Sequence, residues 1–190
     1  MVRICMFAGS SEGRLPEYRQ LAVTLGHELA GREIGLVYGG ASRGLMGAAA
    51  DAALEAGGEV VGVIPRALFK TEIAHGGLTA LYEVESMHQR KAKMESLADA
   101  FVALPGGFGT FDELFEIITW AQIGIHEKPI GLLGVADYFE PFLSLVRHAA
   151  AEGFIPSPHL DLIHYSEDPS ALIDELLSAR VRSEIIGTKS

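Results

Sequence analysis

Short apolar runs alternate with longer amphipathic segments along the whole chain, and glycines stand at the ends of most runs. This alternation is typical of strand–helix–strand units around a parallel sheet, because strands covered on both faces are apolar throughout. Pro16 suits the first turn of a helix, while the Gly57-Gly58 pair and Gly153 suit helix ends. The pattern predicts six or seven strands: Ile4–Ala8, Gly35–Tyr38, Val60–Ile64, Leu81–Val84, Ala100–Leu104, Ile130–Leu133 and Leu162–His164. The predicted helices are Pro16–Ala30, Leu45–Ala56, Gln89–Leu97, Phe111–Ile123, Phe139–Ala151 and Pro169–Leu177.

The length and composition of the chain suit a single domain. Its 190 residues are enough to bury one continuous core, and 48% of them are hydrophobic while 21% are charged, as in ordinary globular proteins. We expect one doubly wound, Rossmann-like α/β domain over residues 1–190, with a core over residues 3–178 and a C-terminal tail over 179–190. The segment Pro65–Gly77 has no regular period and is either a lid over a site or a long surface connection.

The acidic charge balance restricts the kinds of partner. With 15 Lys and Arg residues against 25 Asp and Glu residues, the formal net charge of -10 opposes nonspecific binding to nucleic acid or to an anionic membrane. No apolar stretch approaches the roughly 20 residues of a membrane span. We expect a soluble cytoplasmic protein. A small phosphorylated ligand is compatible with this charge, because local amides and a few cations determine its binding.

Cysteine and histidine indicate neither a disulfide nor a metal site. Cys5 is the single cysteine and lies within an apolar run, which favours a buried, unreactive thiol. The seven histidines are scattered, and no two of them have the spacing of metal ligands. We therefore expect no intrachain disulfide and no metal.

Three glycine-rich segments each follow a predicted strand, at residues 8–13, 38–47 and 105–110. The carboxyl ends of parallel strands share one edge of the sheet, where open α/β folds bind their ligands. Glycine lets backbone N–H groups close around an anion, and the following helix adds the positive end of its dipole. A single segment of this kind is as readily a tight turn, but three at one edge favour a ligand that carries phosphate.

The third glycine-rich segment runs directly into carboxylates, since Asp112, Glu113 and Glu116 follow it. Carboxylates in a first helical turn complement the helix dipole, and this structural role is preferred for Asp112. A carboxylate beside an anion site opposes anion binding, so Glu113 indicates a task on the sugar. It would grip ribose hydroxyls and stabilise an oxocarbenium-like centre, or position a water molecule.

Basic residues cluster at the start of the third predicted helix, where Arg90, Lys91 and Lys93 fall within four positions. Cations at a helix start oppose the dipole, which indicates another task, although a solvated face is the alternative. Guanidinium stays charged in proteins, so Arg90 would orient substrate and offset transition-state charge. His88 is the better proton donor of the two, with a plain surface histidine as the competing interpretation.

Other nucleotide and acyl chemistries lack their motifs. The segment 39–44 does not spell the dinucleotide fingerprint, and no acidic residue ends the next strand, since Glu59 precedes it. No Gly-Lys-Ser/Thr triplet is present, which excludes a Walker loop. Ser10 and Ser11 lack a nucleophile elbow and a triad, so their hydroxyls suit phosphate contacts.

The residues that carry this chemistry resemble a known family. Met87-His88-Gln89-Arg90-Lys91 followed by Pro105-Gly106-Gly107-Phe108-Gly109-Thr110-Phe111-Asp112-Glu113 is similar to the paired signature of the Lonely Guy (LOG) family, the cytokinin riboside 5′-monophosphate phosphoribohydrolases. The likeness covers roughly residues 3–178 and includes Gly44-Leu45-Met46-Gly47. Ala8 stands where the family commonly has cysteine, and Ala41 stands where a third glycine is common.

The resemblance implies a Rossmann-like homodimer that binds a nucleoside 5′-monophosphate and hydrolyses its N-glycosidic bond without a metal or redox cofactor. AMP is among the implied substrates. Carried over position by position, the catalytic residues are Arg90 and Glu113. The apolar helix Phe111–Ile123, which contains Trp120, would supply a dimer interface as readily as core. The expected substrate contacts are Ser10, Gly40, Met87, His88, Lys91, Gly106, Gly107, Gly109 and Thr110.

Three other functions stay open for a chain of this kind: a dehydrogenase, a lysine decarboxylase and a noncatalytic carrier. Similar proteins are also called possible lysine decarboxylases, yet no lysine here has a recognisable pyridoxal-phosphate setting. A noncatalytic nucleotide or molybdenum-cofactor carrier of similar fold would bind its ligand unchanged. The intact pair of Arg90 and Glu113 favours the hydrolase.

Overall fold

The computed structural model describes residues 1–67 and 74–187, with side chains up to Arg182. Within these ranges the strands are β1 Arg3–Phe7, β2 Gly35–Tyr38, β3 Val60–Pro65, β4 Ala80–Val84, β5 Ala100–Ala103, β6 Ile130–Leu133 and β7 Ile163–Ser166. They form a seven-stranded sheet in the order β4-β3-β2-β1-β5-β6-β7, and each neighbouring pair is parallel. The predicted doubly wound α/β class is confirmed.

The helices alternate with the strands along the chain. They are α1 Pro16–Gly31, α2 Gly44–Glu55, α3 Met87–Leu97, α4 Phe108–Gln122, α5 Glu140–Ala151 and α6 Pro169–Gly187, and a short 3-10 helix spans Ser157–Leu162. Within the described ranges, none of them combines the length and apolar character of a membrane-spanning helix.

The two faces of the sheet are covered by different helices. Along β1, Ile4 and Met6 pack towards α1, α2 and α6, whereas Cys5 and Phe7 pack towards α3, α4 and α5. Successive side chains of a strand point to opposite faces, so the five inner strands are buried on both faces and are mainly apolar. The edge strands β4 and β7 are partly exposed and carry polar residues. Burial raises the pKa of the Cys5 thiol, as suits the unreactive role predicted for it.

Element ends agree with the sequence prediction within two residues, apart from α4 and α6. Helix α4 begins at Phe108 instead of Phe111, because the segment predicted as loop already forms its first turn after the cap residue Gly107. Helix α6 continues to Gly187, past the predicted end at Leu177 and through residues expected to form a tail. An ion pair of 3.3 Å between Arg180 and Asp99 attaches this extension to the body of the fold.

The segment Pro65–Gly77 lies only partly within the described ranges, since residues 68–73 fall outside them. Its second part returns to the second glycine-rich segment: Ala74 bridges Ala41, and the backbone N–H of His75 donates to the carbonyl oxygen of Gly40 over 3.0 Å. The choice between a lid and a surface connection therefore stays a prediction.

Helices α1 and α2 pack with their backbones in contact at Gly26. A Cβ atom at Gly26 would lie 2.4 Å from the carbonyl oxygen of Ala49 and 2.9 Å from the Cβ of Ala52. Helix α2 is buried along most of its length and carries mainly alanine at its buried positions. Small side chains on both helices thus set how closely α2 approaches the sheet.

Gly26→Ala is expected to lower the free energy of unfolding by about 1–3 kcal/mol, because the added methyl group forces the two helices apart. Gly31→Ala is the matched control, since a Cβ at the end of the same helix meets no heavy atom within 4 Å. The control should be neutral or stabilising, because alanine favours helix over glycine by about 1 kcal/mol. Urea unfolding measures both variants, and a wild-type midpoint for Gly26→Ala contradicts this account.

Candidate active site

The candidate site lies where the chain reverses its direction of travel across the sheet, between β1 and β5. Open α/β sheets bind ligands at this switch point, outside the carboxyl ends of the strands. The backbone N–H of Gly9, after β1, donates to the carbonyl oxygen of Pro105, after β5, over 3.0 Å. Two of the three glycine-rich segments are therefore joined directly through their backbones.

The second glycine-rich segment, over residues 38–47, joins them at the start of α2. The backbone N–H of Leu45 donates to the carbonyl oxygen of Gly9 over 3.0 Å, and a Cβ at Gly44 would lie 2.3 Å from the carbonyl carbon of Ser10. A Cβ at Gly106 would lie 2.9 Å from the nitrogen of Gly9 and 2.1 Å from Oγ1 of Thr110. Glycine is required at these contacts because any side chain would separate the segments.

A cavity of about 170 Å³ opens beside this junction. It includes the cap and first turn of α4, whose backbone N–H groups have no partner within the helix and attract an anion. The cavity brings six predicted site residues together: Ser10, Arg90, Gly107, Gly109, Thr110 and Glu113.

Arg90 reaches the cavity from α3 and is only 5% exposed. Its guanidinium lies against the backbone after β2, where a Cβ at Gly39 would be 1.8 Å from Nη2. Nη1 lies 3.9 Å from the sulfur of Met87, and none of the described residues accepts a hydrogen bond from Nε. Arg90 lines the cavity, and a guanidinium carries five N–H donors, so this side chain can donate hydrogen bonds to a ligand there.

Glu113 faces Arg90 from α4. It is 9% exposed, and its Oε1 lies 3.9 Å from Nη2 of Arg90. Glu113 lies one turn after Thr110, so the carboxylate stands deeper than the helix start. The cavity thus combines the start of a helix with a buried pair of opposite charges.

Lys91 lies beside Arg90 in sequence, but its ammonium group contacts α4 and does not line the cavity. Its Nζ lies 3.1 Å from Oδ2 of Asp112 and 3.1 Å from Oε2 of Glu116, with the side chain 11% exposed. Burial alone would lower the pKa of Lys91, yet hydrogen bonds to Glu116 and Asp112 outweigh it and raise the pKa. Lys91 therefore ties α3 to α4. Asp112, assigned a helix-dipole role by sequence, is a partner in this tie.

The other predicted contacts lie around the cavity without lining it. His88 and Met87 are exposed on the first turn of α3, and Met87 touches Arg90. Gly40 has a φ of 78° and accepts the hydrogen bond from His75. Gly106 fills the narrow space between Gly9 and Thr110.

Three cavity residues were absent from the sequence-based list of contacts: Ala8, Met46 and Phe108. Ala8 and Phe108 belong to segments that the sequence did single out. Met46 lies in the first turn of α2, and its sulfur would be 3.4 Å from a Cβ at Gly39. Met46 also belongs to the glycine-rich segment 38–47 and to the Gly44-Leu45-Met46-Gly47 stretch of the family likeness, but an apolar side chain at a helix start was not expected to contact substrate.

A larger depression of about 510 Å³ lies near the amino ends of β6 and β7. Two residues of its lining already have carboxylate partners: Nζ of Lys128 lies 2.5 Å from Oε1 of Glu95, and Nδ1 of His164 lies 2.8 Å from Oε1 of Glu175. His126 is buried there, and burial lowers its pKa, so it remains neutral near pH 7. The cavity at the glycine-rich segments is therefore the better candidate despite its smaller volume.

Comparison with known proteins gives a consistent set of relatives. A family described as "Possible lysine decarboxylase" matches residues 46–176. The cytokinin riboside 5′-monophosphate phosphoribohydrolase LOG3 of Arabidopsis thaliana is 45% identical over 187 residues, which cover 98% of this chain and 87% of the relative. The enzyme LOG of Oryza sativa subsp. japonica, with the same activity in its name, is 52% identical over 153 residues, covering 80% of this chain and 63% of the relative.

Solved structures share the architecture at low sequence identity. The molybdenum cofactor binding protein from Rippkaea orientalis superposes with a TM-score of 0.70 at 20% identity, covering 94% of this chain and 97% of that protein. An identity this low establishes a common fold and says nothing about a common ligand.

Lys91→Met is expected to lower the free energy of unfolding by about 1–3 kcal/mol, because it leaves the half-buried Glu116 carboxylate without its cation. Lys93→Met, on the same helix, is the control: its Nζ lies over the ring of Tyr82 at 4.4 Å, a contact of about 0.5–1 kcal/mol. Thermal and urea unfolding compare the two variants. Equal effects would show that Lys91 does not tie the helices.

Proposed function

The chain belongs to the LOG family of cytokinin riboside 5′-monophosphate phosphoribohydrolases, and on that basis we propose that it hydrolyses the N-glycosidic bond of N6-modified adenosine 5′-monophosphates. The products are the free base and ribose 5-phosphate. The observation that carries the proposal is the buried pair of Arg90 and Glu113, which shares one cavity with the glycine-rich start of α4. A site that only held an anion would be weakened by a buried carboxylate in its wall.

The 5′-phosphate binds at the first turn of α4 in this proposal. The backbone N–H groups of Gly107, Phe108 and Gly109, which have no partner within the helix, and the positive end of the helix dipole attract it. The hydroxyls of Ser10 and Thr110 line the same cavity and supply further hydrogen bonds. This anchor fixes the distance between the phosphate and the sugar carbon that reacts.

Glu113 acts on the ribose. When the bond between the sugar carbon and the base nitrogen breaks, the electron pair leaves with the base and positive charge develops on the sugar carbon. A buried carboxylate stabilises that charge more strongly than one in water. Water then attacks the sugar carbon and loses one proton, and the departing base nitrogen gains one, which completes hydrolysis.

Arg90 holds the substrate in register and balances the charge of Glu113. Its guanidinium remains protonated in proteins, so it donates hydrogen bonds and does not transfer a proton. The contact with Gly39 leaves it little room to move. The geometry of the charged pair is therefore set before substrate arrives, which lowers the cost of ordering the site.

AMP is proposed as a second substrate, because phosphate and ribose contacts are common to all adenosine 5′-monophosphates. A cytoplasmic location belongs to the same proposal, since a charged phosphate ester does not cross a bilayer unaided. Chromatography of AMP and of isopentenyladenosine monophosphate after incubation with the purified protein tests both substrates. Intact nucleotide in a folded sample that binds it would favour a carrier instead.

Glu113→Gln and Arg90→Ala are each expected to lower kcat/KM by at least about 100-fold, the cost of removing one transition-state charge contact. Asp112→Asn is the matched control, since this neighbouring carboxylate is exposed and lies outside the cavity lining, and Lys91 keeps its ion pair with Glu116 in this variant. Release of ribose 5-phosphate measures the rates, and circular dichroism checks the fold. Near-normal turnover in either cavity variant would contradict the catalytic role proposed for that residue.

The proposal includes a homodimer that covers the outer face of α4. Phe115 on α4 and the following Ile123 and Ile125 are at least 45% exposed. Apolar side chains exposed in one region mark interaction sites in soluble proteins. A second copy would cover them through the same face, as in most symmetric dimers.

Ile123→Asp is expected to convert the dimer to a monomer, because a charge buried in an apolar interface has no partner. Val181→Asp places the same charge on an exposed position of α6, on the opposite side of the sheet, and should leave the dimer intact. Size-exclusion chromatography with light scattering reports the mass. A monomeric wild-type protein would refute the dimer and leave the hydrolase proposal standing.

A further inference from the structure

The hydroxyl of Tyr138 binds both backbone polar groups of Gly106. It accepts a hydrogen bond from the N–H of Gly106 over 3.3 Å and donates one to the carbonyl oxygen of the same residue. Tyr138 lies between β6 and α5, 32 positions along the chain from Gly106. A separate element of the fold therefore reaches across to the loop that begins the proposed phosphate site.

These contacts hold two successive peptide planes. In the plane between Pro105 and Gly106, the carbonyl oxygen accepts from Gly9 and the N–H donates to Tyr138. In the plane between Gly106 and Gly107, the carbonyl oxygen accepts from Tyr138. A trans peptide is planar, so its N–H points opposite to its carbonyl. The N–H of Gly107 is thereby directed away from Tyr138, and Gly107 lines the cavity.

The tyrosine ring is itself fixed by packing. It makes edge contacts with Tyr18 at 5.8 Å and with Phe139 at 5.1 Å between ring centroids. Phe139 is fully buried, and Tyr18 comes from the start of α1. The ring would stay in place without its hydroxyl, which separates the polar role of Tyr138 from its contribution to the core.

We propose that Tyr138 is a positioning residue for the 5′-phosphate: its hydroxyl holds the Gly106–Gly107 peptide so that the Gly107 N–H faces the bound phosphate. Two consecutive glycines have the widest backbone freedom of any dipeptide, so this peptide would otherwise rotate. Holding it in the bound orientation removes an ordering cost from binding. The inference rests on the proposed function, because it assumes a phosphorylated substrate at this loop.

Tyr138→Phe is expected to raise KM for AMP roughly tenfold and to raise the inhibition constant of ribose 5-phosphate by the same factor, with kcat within about twofold of wild type. Both ligands carry the phosphate, whereas adenosine does not, so any hydrolysis of adenosine should be unchanged. Tyr165→Phe is the matched control, since it removes a hydroxyl that binds Glu167 over 3.1 Å on the last strand. A thermal melt compares the stabilities.

Unchanged KM and inhibition constants overturn the proposal, as does a fall in kcat alone or a loss of thermal stability with normal affinity. A rise in KM without a rise in the ribose 5-phosphate constant also overturns it, because the effect would then lie outside the phosphate site. If the wild-type protein proves inactive, calorimetry still tests the proposal, because it compares the affinity of ribose 5-phosphate for wild type and for Tyr138→Phe. Failure of the wild type to bind ribose 5-phosphate overturns the proposal as well.

Discussion

The close approach of three backbone segments at Gly9, Gly44 and Gly106 is the constraint on which the rest of the structure depends. These segments follow β1, precede the body of α2 and follow β5, and they touch without side chains between them. Their contact requires β1 and β5 to be neighbours and α2 to lie close over the sheet. The small residues between α1 and α2 meet the second requirement. The packing of the core and the shape of the site thus both require glycine or alanine at the points where backbones touch.

The buried charges at this junction are expensive to keep and are held by their surroundings. Removing two charges from water costs several kcal/mol each, and a 3.9 Å separation recovers only part of that. Gly39 provides the space for Arg90, and the tie from Lys91 to Asp112 and Glu116 holds the two helices that carry the pair. Such an arrangement is easier to understand as preorganised chemistry than as a contribution to stability.

The relatives of this chain show that the fold and the function are separate properties. Proteins that bind molybdenum cofactor share the architecture at 20% identity, whereas named phosphoribohydrolases are 45–52% identical. A doubly wound sheet offers every member a switch point with free helix N–H groups, so an anion site is common property of the fold. What differs between functions is the set of side chains that surrounds it, and in this chain Arg90 and Glu113 stand there.

By itself the sequence determined the order of strands and helices, the parallel sheet and the edge at which the candidate site lies, because periodicity and glycine position are local properties of a chain. It also singled out Arg90, a cation that the dipole at a helix start opposes, and Glu113, a carboxylate beside an expected anion site. Only the tertiary structure decided that Lys91 pairs with α4, that Met46 forms a wall of the cavity and that Tyr138 holds Gly106. Those contacts join elements far apart in sequence, and the direction of a side chain across such a gap follows from how whole helices pack.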